Sequence, residues 1–189
     1  MLLHYVFGCH GTAEVVPGLA TIKRTSPSGG GLHPVEAYPL VSGVDGVEPG
    51  LYRYSVRHHA LEPLLALDRR EAQLLASELA CGQTYFGGAH VSLLLTARFD
   101  RTFWKYRRHQ KAYAAVLMDV AHLSQTLYLV CTELGLGAFV TAAVNSALID
   151  ERLGLDGIEE GALAICGFGV PAATPSPFDP VFEPYEPPR

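Results

Sequence analysis

Positive charge is scarce in this chain of 189 residues. Its 14 lysines and arginines face 19 acids, giving a formal net charge of −5 and a pI near 5.9. No basic face is implied, so nucleic acid is excluded as an expected partner. Cysteine is also sparse, with Cys9, Cys81, Cys131 and Cys166 scattered and no CxxC pair. That excludes a disulfide scaffold and fits a reducing cytoplasm, the expected location. Cys9 and His10 are adjacent but have no second ligand pair at metal spacing, so no metal is expected.

Uninterrupted apolar runs are lacking as well. Met1 to Phe7 has no basic segment and no long apolar core, so it does not read as a signal peptide. The apolar stretch at 112–134 is broken by Asp119, His122, Gln125 and Glu133, which argues against a membrane span. Charged residues make up only 17% and hydrophobic residues 49%, so disorder is excluded. A single domain over 1–189 with a real core is expected. No internal repeat is visible.

What is present centres on Arg24-Thr25-Ser26-Pro27-Ser28-Gly29-Gly30-Gly31-Leu32-His33-Pro34-Val35-Glu36. Pro27 fixes its own φ and pushes Ser26 toward extended geometry. The glycines permit φ > 0 and close backbone approach. Ser26 and Ser28 add hydroxyls and N–H groups to a tight loop, suited to an anion or a polar ring edge. An ordinary surface turn has the same composition.

Around it, 2–8 reads as a helix end or short strand, and 38–41 and 50–56 as strands. His58 and His59 read as solvated turn residues before a hairpin partner. Asp68 caps a helix to Leu79, with Leu74, Leu75 and Leu79 near one face. Residues 91–97 are nearly continuously apolar, as in a strand covered on both sides. Tyr113, Val116, Leu117, Val120, Leu127, Cys131 and Leu134 recur at helical spacing over 112–134, about 35 Å of helix. Gly135 and Gly137 end it. Such a helix suits either a plain core or a second subunit. A short strand over 138–141, an Asn145-capped helix to Leu153 and a buried strand over 161–169 follow. The tail from Pro171 onward is expected to be extended and to wrap a neighbour.

Five fragments carry a resemblance: the Ser26-to-Tyr38 segment, Gly50-Leu51-Tyr52-Arg53-Tyr54, Trp104-Lys105-Tyr106-Arg107, Ala121-His122-Leu123-Ser124-Gln125 and Gly135-Leu136-Gly137-Ala138. In that order and spacing they resemble the SagB-type branch of the nitroreductase superfamily, over residues 20 to 172. The resemblance implies an α+β, nitroreductase-like fold. Its central, mostly antiparallel sheet is flanked by helices, and two copies form a dimer with FMN at their interface. It implies an FMN-dependent dehydrogenase that oxidises thiazoline and oxazoline rings in a modified precursor peptide, beside a cyclodehydratase complex.

By the same resemblance, Ser26, Pro27, Ser28 and Gly29 contact FMN. Thr141, Ala142 and Ala143 aim backbone N–H groups at the flavin edge, although nitroreductases often carry Glu-Gly there. Lys105 and Tyr106 match a catalytic Lys-Tyr pair. Lysine serves as a base when desolvation lowers its pKa, and Tyr106 orients or relays. A plain basic helix face around Arg101, Arg107 and Arg108 is the alternative. The family's upstream Arg-Arg-Ser phosphate site is missing, and no lysine or arginine lies between Cys166 and Arg189. Lys23 and Arg24 are candidate substitutes. Otherwise the chain is a fragment, a second subunit supplies cations, or flavin binds weakly. Two other functions stay open. One is an NAD(P)H-dependent reductase of small molecules, for which no nicotinamide fingerprint is visible. The other is a flavin-free scaffold subunit.

Overall fold

A computed structural model describes residues 1–173, and the expectation for the tail lies largely outside them. The chain builds six antiparallel strands in the order β5-β4-β3-β6-β8-β7, plus a separate two-stranded hairpin. The hairpin is β1 (Gly11–Val16) with β2 (Leu19–Lys23), turning at Gly18, and the sequence reading did not find it. In the main sheet β3 is Val35–Val41, β4 Gly50–Ser55, β5 Ala60–Ala66 and β6 Val91–Arg98. β7 is Gly137–Thr141 and β8 is Glu160–Gly169. Every pairing is antiparallel, so the α+β expectation holds.

The apolar run on β6 shows why the molecule has three layers. Leu93 and Leu95 belong to a core with Val120, Leu123, Leu127 and Cys131 of α4 (Ala112–Glu133) and with Val6 and Phe7 of α1 (Leu2–Phe7). Leu94, between them, belongs to a second core with Leu75 and Leu79 of α2 (Arg69–Leu79) and Ile149 of α5 (Ser146–Leu153). Successive strand residues point to opposite faces, so a strand covered on both sides needs apolar residues at every position. All three leucines are fully buried, each contributing about 1.5–3 kcal/mol of transfer free energy.

Local chemistry sets the helix ends. Asp68 accepts from the Glu71 N–H while the Glu71 carboxylate accepts from the Asp68 N–H, a complete capping box. Asn145 caps α5 through the Leu148 N–H, and Gly154 closes it in the left-handed conformation. Two expectations need correction. Leu74 is 61% exposed, because only Ala72, Leu75, Ala76 and Leu79 of α2 turn toward the sheet. The stripe on α4 also divides. Val116, Val120, Leu127 and Cys131 are buried, whereas Tyr113, Leu117 and Leu134 turn outward. With a mean hydropathy of 1.4 over its most apolar window, α4 is apolar on more sides than the sheet covers. Its length and composition match a membrane span, yet its buried face carries Asp119 and Ser124 and packs on the sheet.

Candidate functional site

The loop between β2 and β3 holds its shape because α4 grips it. Asp119 is 3% exposed, and its carboxylate accepts from the Ser28 hydroxyl at 2.5 Å and from the Gly29 N–H at 3.0 Å. One turn on, the His122 ring nitrogen Nδ1 lies 3.1 Å from the Pro27 carbonyl and donates to it. One turn further, the Thr126 hydroxyl donates to the His122 carbonyl at 2.9 Å. With its proton committed there, Thr126 accepts from Ser26 at 2.7 Å. Positions 119, 122 and 126 lie on one helical face, so three side chains hold four consecutive loop residues, Ser26 to Gly29.

This grip decides what the loop can offer a ligand. Ser28 gives its proton to Asp119 and accepts from the His33 N–H at 2.9 Å. Ser26 gives its proton to Thr126 and is 2% exposed. Both serine protons are thus spent inside the protein, and the loop presents mainly backbone to its outer side. Gly29–Gly31 form one tight helical turn with Gly30 at φ 66°.

α3 (Asp100–Tyr106) closes over that turn. The Lys105 ammonium donates to the Gly30 carbonyl at 3.3 Å. A Cβ on Gly30 would stand 2.6 Å from Lys105 Nζ and 2.7 Å from the Tyr106 hydroxyl, so any side chain there would push aside the two chain ends that converge on it. Beside them opens a cleft of about 710 Å³. Ser26, Pro27, Ser28 and Gly30 line it on one side, Arg24 and His33 on another, and Trp104 with Lys105 on a third. His33 sits at φ 48°, a left-handed conformation that a non-glycine residue adopts only when its surroundings fix it. Its amide is held by Ser28 and its carbonyl accepts from Arg101 at 3.1 Å. Burial first, helped by Arg24 and Arg101 against a backbone bond at Ile22, pushes the His33 ring down to about 4. The ring is therefore neutral near pH 7.

The cleft gathers some of the expected site residues and not others. Ser26, Pro27, Ser28 and Lys105 line it, while Gly29, in the glycine turn, and Tyr106, against that turn, do not. Thr141 ends the outer strand β7, Ala142 and Ala143 follow it, and none of the three lines the cleft; the Ala143 N–H bonds back to the Thr141 hydroxyl at 3.0 Å. The expected water-excluding surroundings of Lys105 are absent within one chain. Lys105 is exposed and Trp104 is 59% exposed, because α3 ends at the surface. Cys9 donates to the Gly11 carbonyl at 3.2 Å, and His10 lies 2.9 Å from the Thr25 hydroxyl. Asp119, His122 and Thr126 were missed as site residues. Their signal was polar groups one turn apart in an otherwise apolar helix; sequence reading counted Asp119 and His122 as interruptions of a membrane span, took His122 also as part of a resembling fragment, and passed over Thr126.

The model of the nitroreductase family matches residues 12–170. The chain belongs to the nitroreductase family. It is 29% identical over 168 residues to the trifolitoxin-processing protein TfxB of Rhizobium leguminosarum bv. trifolii, covering 87% of the chain and 44% of that protein. It is 32% identical over 152 residues to the nitroreductase-like protein MJ1384 of Methanocaldococcus jannaschii, covering 80% and 72%. Among solved structures it resembles a chain of the Escherichia coli microcin synthetase McbBCD complex with truncated pro-MccB17 bound. That match has a TM-score of 0.71 and 26% identity, and covers 90% of this chain and 62% of the other. The chain thus spans less than half the length of the trifolitoxin-processing protein.

Proposed function

We propose that this nitroreductase is an FMN-dependent dehydrogenase that oxidises thiazoline or oxazoline rings in a ribosomally made peptide. The observation that carries the reading is the convergence of Lys105 Nζ and the Tyr106 hydroxyl on Gly30, at the mouth of a cleft floored by loop backbone. The likeness to a trifolitoxin-processing protein and to a synthetase complex holding a pro-peptide supports peptide maturation over small-molecule reduction.

The residues fit a flat, anionic cofactor. The loop offers close backbone approach at Gly30, Trp104 gives an aromatic wall, and the buried Nε of Arg24, on the cleft wall, has no partner among the described residues. When bound, FMN supplies the hydride acceptor that aromatising an azoline requires. The chain supplies the rest. Lys105, as the free amine, takes the ring proton, and Tyr106 orients the ring or relays that proton. Asp119, His122 and Thr126 keep the loop in register with α3, so the base and the loop face the same space. An exposed lysine is a poor base, and burying it requires a cover. A homodimer supplies that cover and brings a Thr141–Ala143 edge to a cleft that lacks one. The exposed apolar face of α4, with Leu117, Met118 and Leu129, is the surface on which such a dimer would close. A cyclodehydratase that makes the azoline is the expected companion.

Titrating FMN into the purified protein tests the cofactor. Binding, with visible absorption near about 450 nm, is expected. No heat and no bound flavin at high micromolar FMN would leave a scaffold subunit as the better reading.

A further inference from the structure

A second cleft, of about 680 Å³, adjoins the first and shares Ile22 and Arg24 with it. Four arginines line it: Arg24 after β2, Arg53 on β4, Arg57 in the turn beyond and Arg101 on α3. Glu36 is its one lining carboxylate among the described residues and is bound to Arg101 at 2.7 Å. Arg53 reaches Glu62 only at 3.9 Å, with both side chains more than 40% exposed. Arg24 and Arg57 have no carboxylate within 4.0 Å among the described residues. In a chain of net charge −5, four of its eleven arginines thus share one cavity with two guanidinium charges unmatched.

Unpaired polar atoms point the same way. The Nε atoms of Arg24 and Arg53 are shielded from solvent and have no hydrogen-bond partner among the described residues. Sheltering a donor without a partner costs free energy, so such atoms are expected to meet an acceptor when the site is filled. Burial holds the Arg24 guanidinium below its usual range, with Arg101 pushing the same way and Glu36 opposing. Like charges crowded at a cavity are relieved by an anion.

We propose that this arginine-lined cleft binds a phosphate monoester. Arginine forks match tetrahedral oxyanions through paired N–H donors, and a phosphate monoester near pH 7 carries close to two negative charges, matching Arg24 and Arg57. A single carboxylate would neutralise half as much. The phosphate is that of a ligand separate from the flavin, because this cleft shares only Ile22 and Arg24 with the neighbouring one. The site stands on the arginines and not on the flavin reading.

The test is calorimetric titration of the full chain with inorganic phosphate at low ionic strength, with glutarate as the carboxylate comparison. Phosphate is expected to bind and glutarate to bind more weakly. Arg57→Gln, at an exposed turn residue and checked for an intact fold by circular dichroism, should weaken phosphate roughly tenfold, as should Arg24→Gln. Competition checks the source. Phosphate and FMN are expected to bind together; phosphate that displaces FMN, with riboflavin binding more weakly than FMN, would make the phosphate the flavin's own and overturn the proposal. Wild-type protein that takes up no phosphate, a folded Arg57→Gln that binds it unchanged, or tighter glutarate binding would overturn the proposal. A protein that binds phosphate but no flavin would keep it and remove the flavin reading alone.

Discussion

Asp119 accepts a hydrogen bond from the Ser28 hydroxyl at 2.5 Å, across 91 residues of chain. The same buried carboxylate also accepts the Gly29 N–H. Asp119→Ala leaves both donors unpaired in a buried place, and bonds to a charged group are worth about 1.5–3 kcal/mol. We expect the variant to lose about 2–3 kcal/mol in denaturant unfolding and to bind flavin more weakly, because the loop is released. A loss under about 0.5 kcal/mol would mean that α4 does not hold the loop.

Gly30→Ala should separate stability from catalysis. The left-handed φ costs an L-residue about 1 kcal/mol. The new methyl would also strike the ends of Lys105 and Tyr106, both flexible enough to swing away. A loss of about 1 kcal/mol in stability with a much larger fall in turnover is expected. In a Lys105→Ala background the same change should cost no further turnover. Equal losses in both backgrounds would show that Gly30 matters for the backbone alone.

Acid sensitivity should trace to His33. Its folded-state value of about 4 lies below the ordinary histidine value of 6.5, so the unfolded chain binds the proton more tightly. Stability from this group is full above pH 6.5 and declines as pH falls toward 4. His4 is shifted the same way, by burial and by His10 and His59 beside it, so the effects add. His33→Asn, which tolerates the left-handed backbone, should flatten part of that decline. Urea midpoints measured from pH 7.5 to 4.5 check it, and an unchanged slope would place the sensitivity elsewhere.

The outer face of α4 makes a prediction about assembly. Leu117, Met118, Tyr128 and Leu129 are 36–63% exposed along one side of the helix. Light scattering should give a mass near twice 20.4 kDa, and Leu129→Lys should shift it toward the single chain. A single-chain mass at every concentration would remove the proposed cover over Lys105.

Much of this architecture was legible locally. The unbroken apolar run of β6 announced a strand covered on both faces, and Asp68 and Asn145 announced their helices. The Ser26–Gly31 loop drew attention because its glycines, proline and serines forbid regular structure. What the serines do was not legible. Their partners stand about 90–100 residues away, and a hydroxyl reads the same whether it serves a ligand or a neighbouring helix. Asp119 was read by its cost to a membrane helix, since a single sequence does not show which residue faces it. The exposed half of the α4 stripe escaped for a related reason. Helical spacing says that residues share a side, not what lies against it.

The measurement closest to the central claim is turnover of an azoline-containing peptide by the FMN-loaded protein, read by mass spectrometry. Aromatisation removes two hydrogens, a loss of about 2 Da. Wild-type protein should produce that shift. Lys105→Ala should slow it by about 10²- to 10⁴-fold while still binding FMN, the usual cost of losing a general base. Tyr106→Phe should cost less if the tyrosine only orients, and as much if it relays the proton. A peptide whose mass never changes, or wild-type rates from Lys105→Ala, would contradict the account.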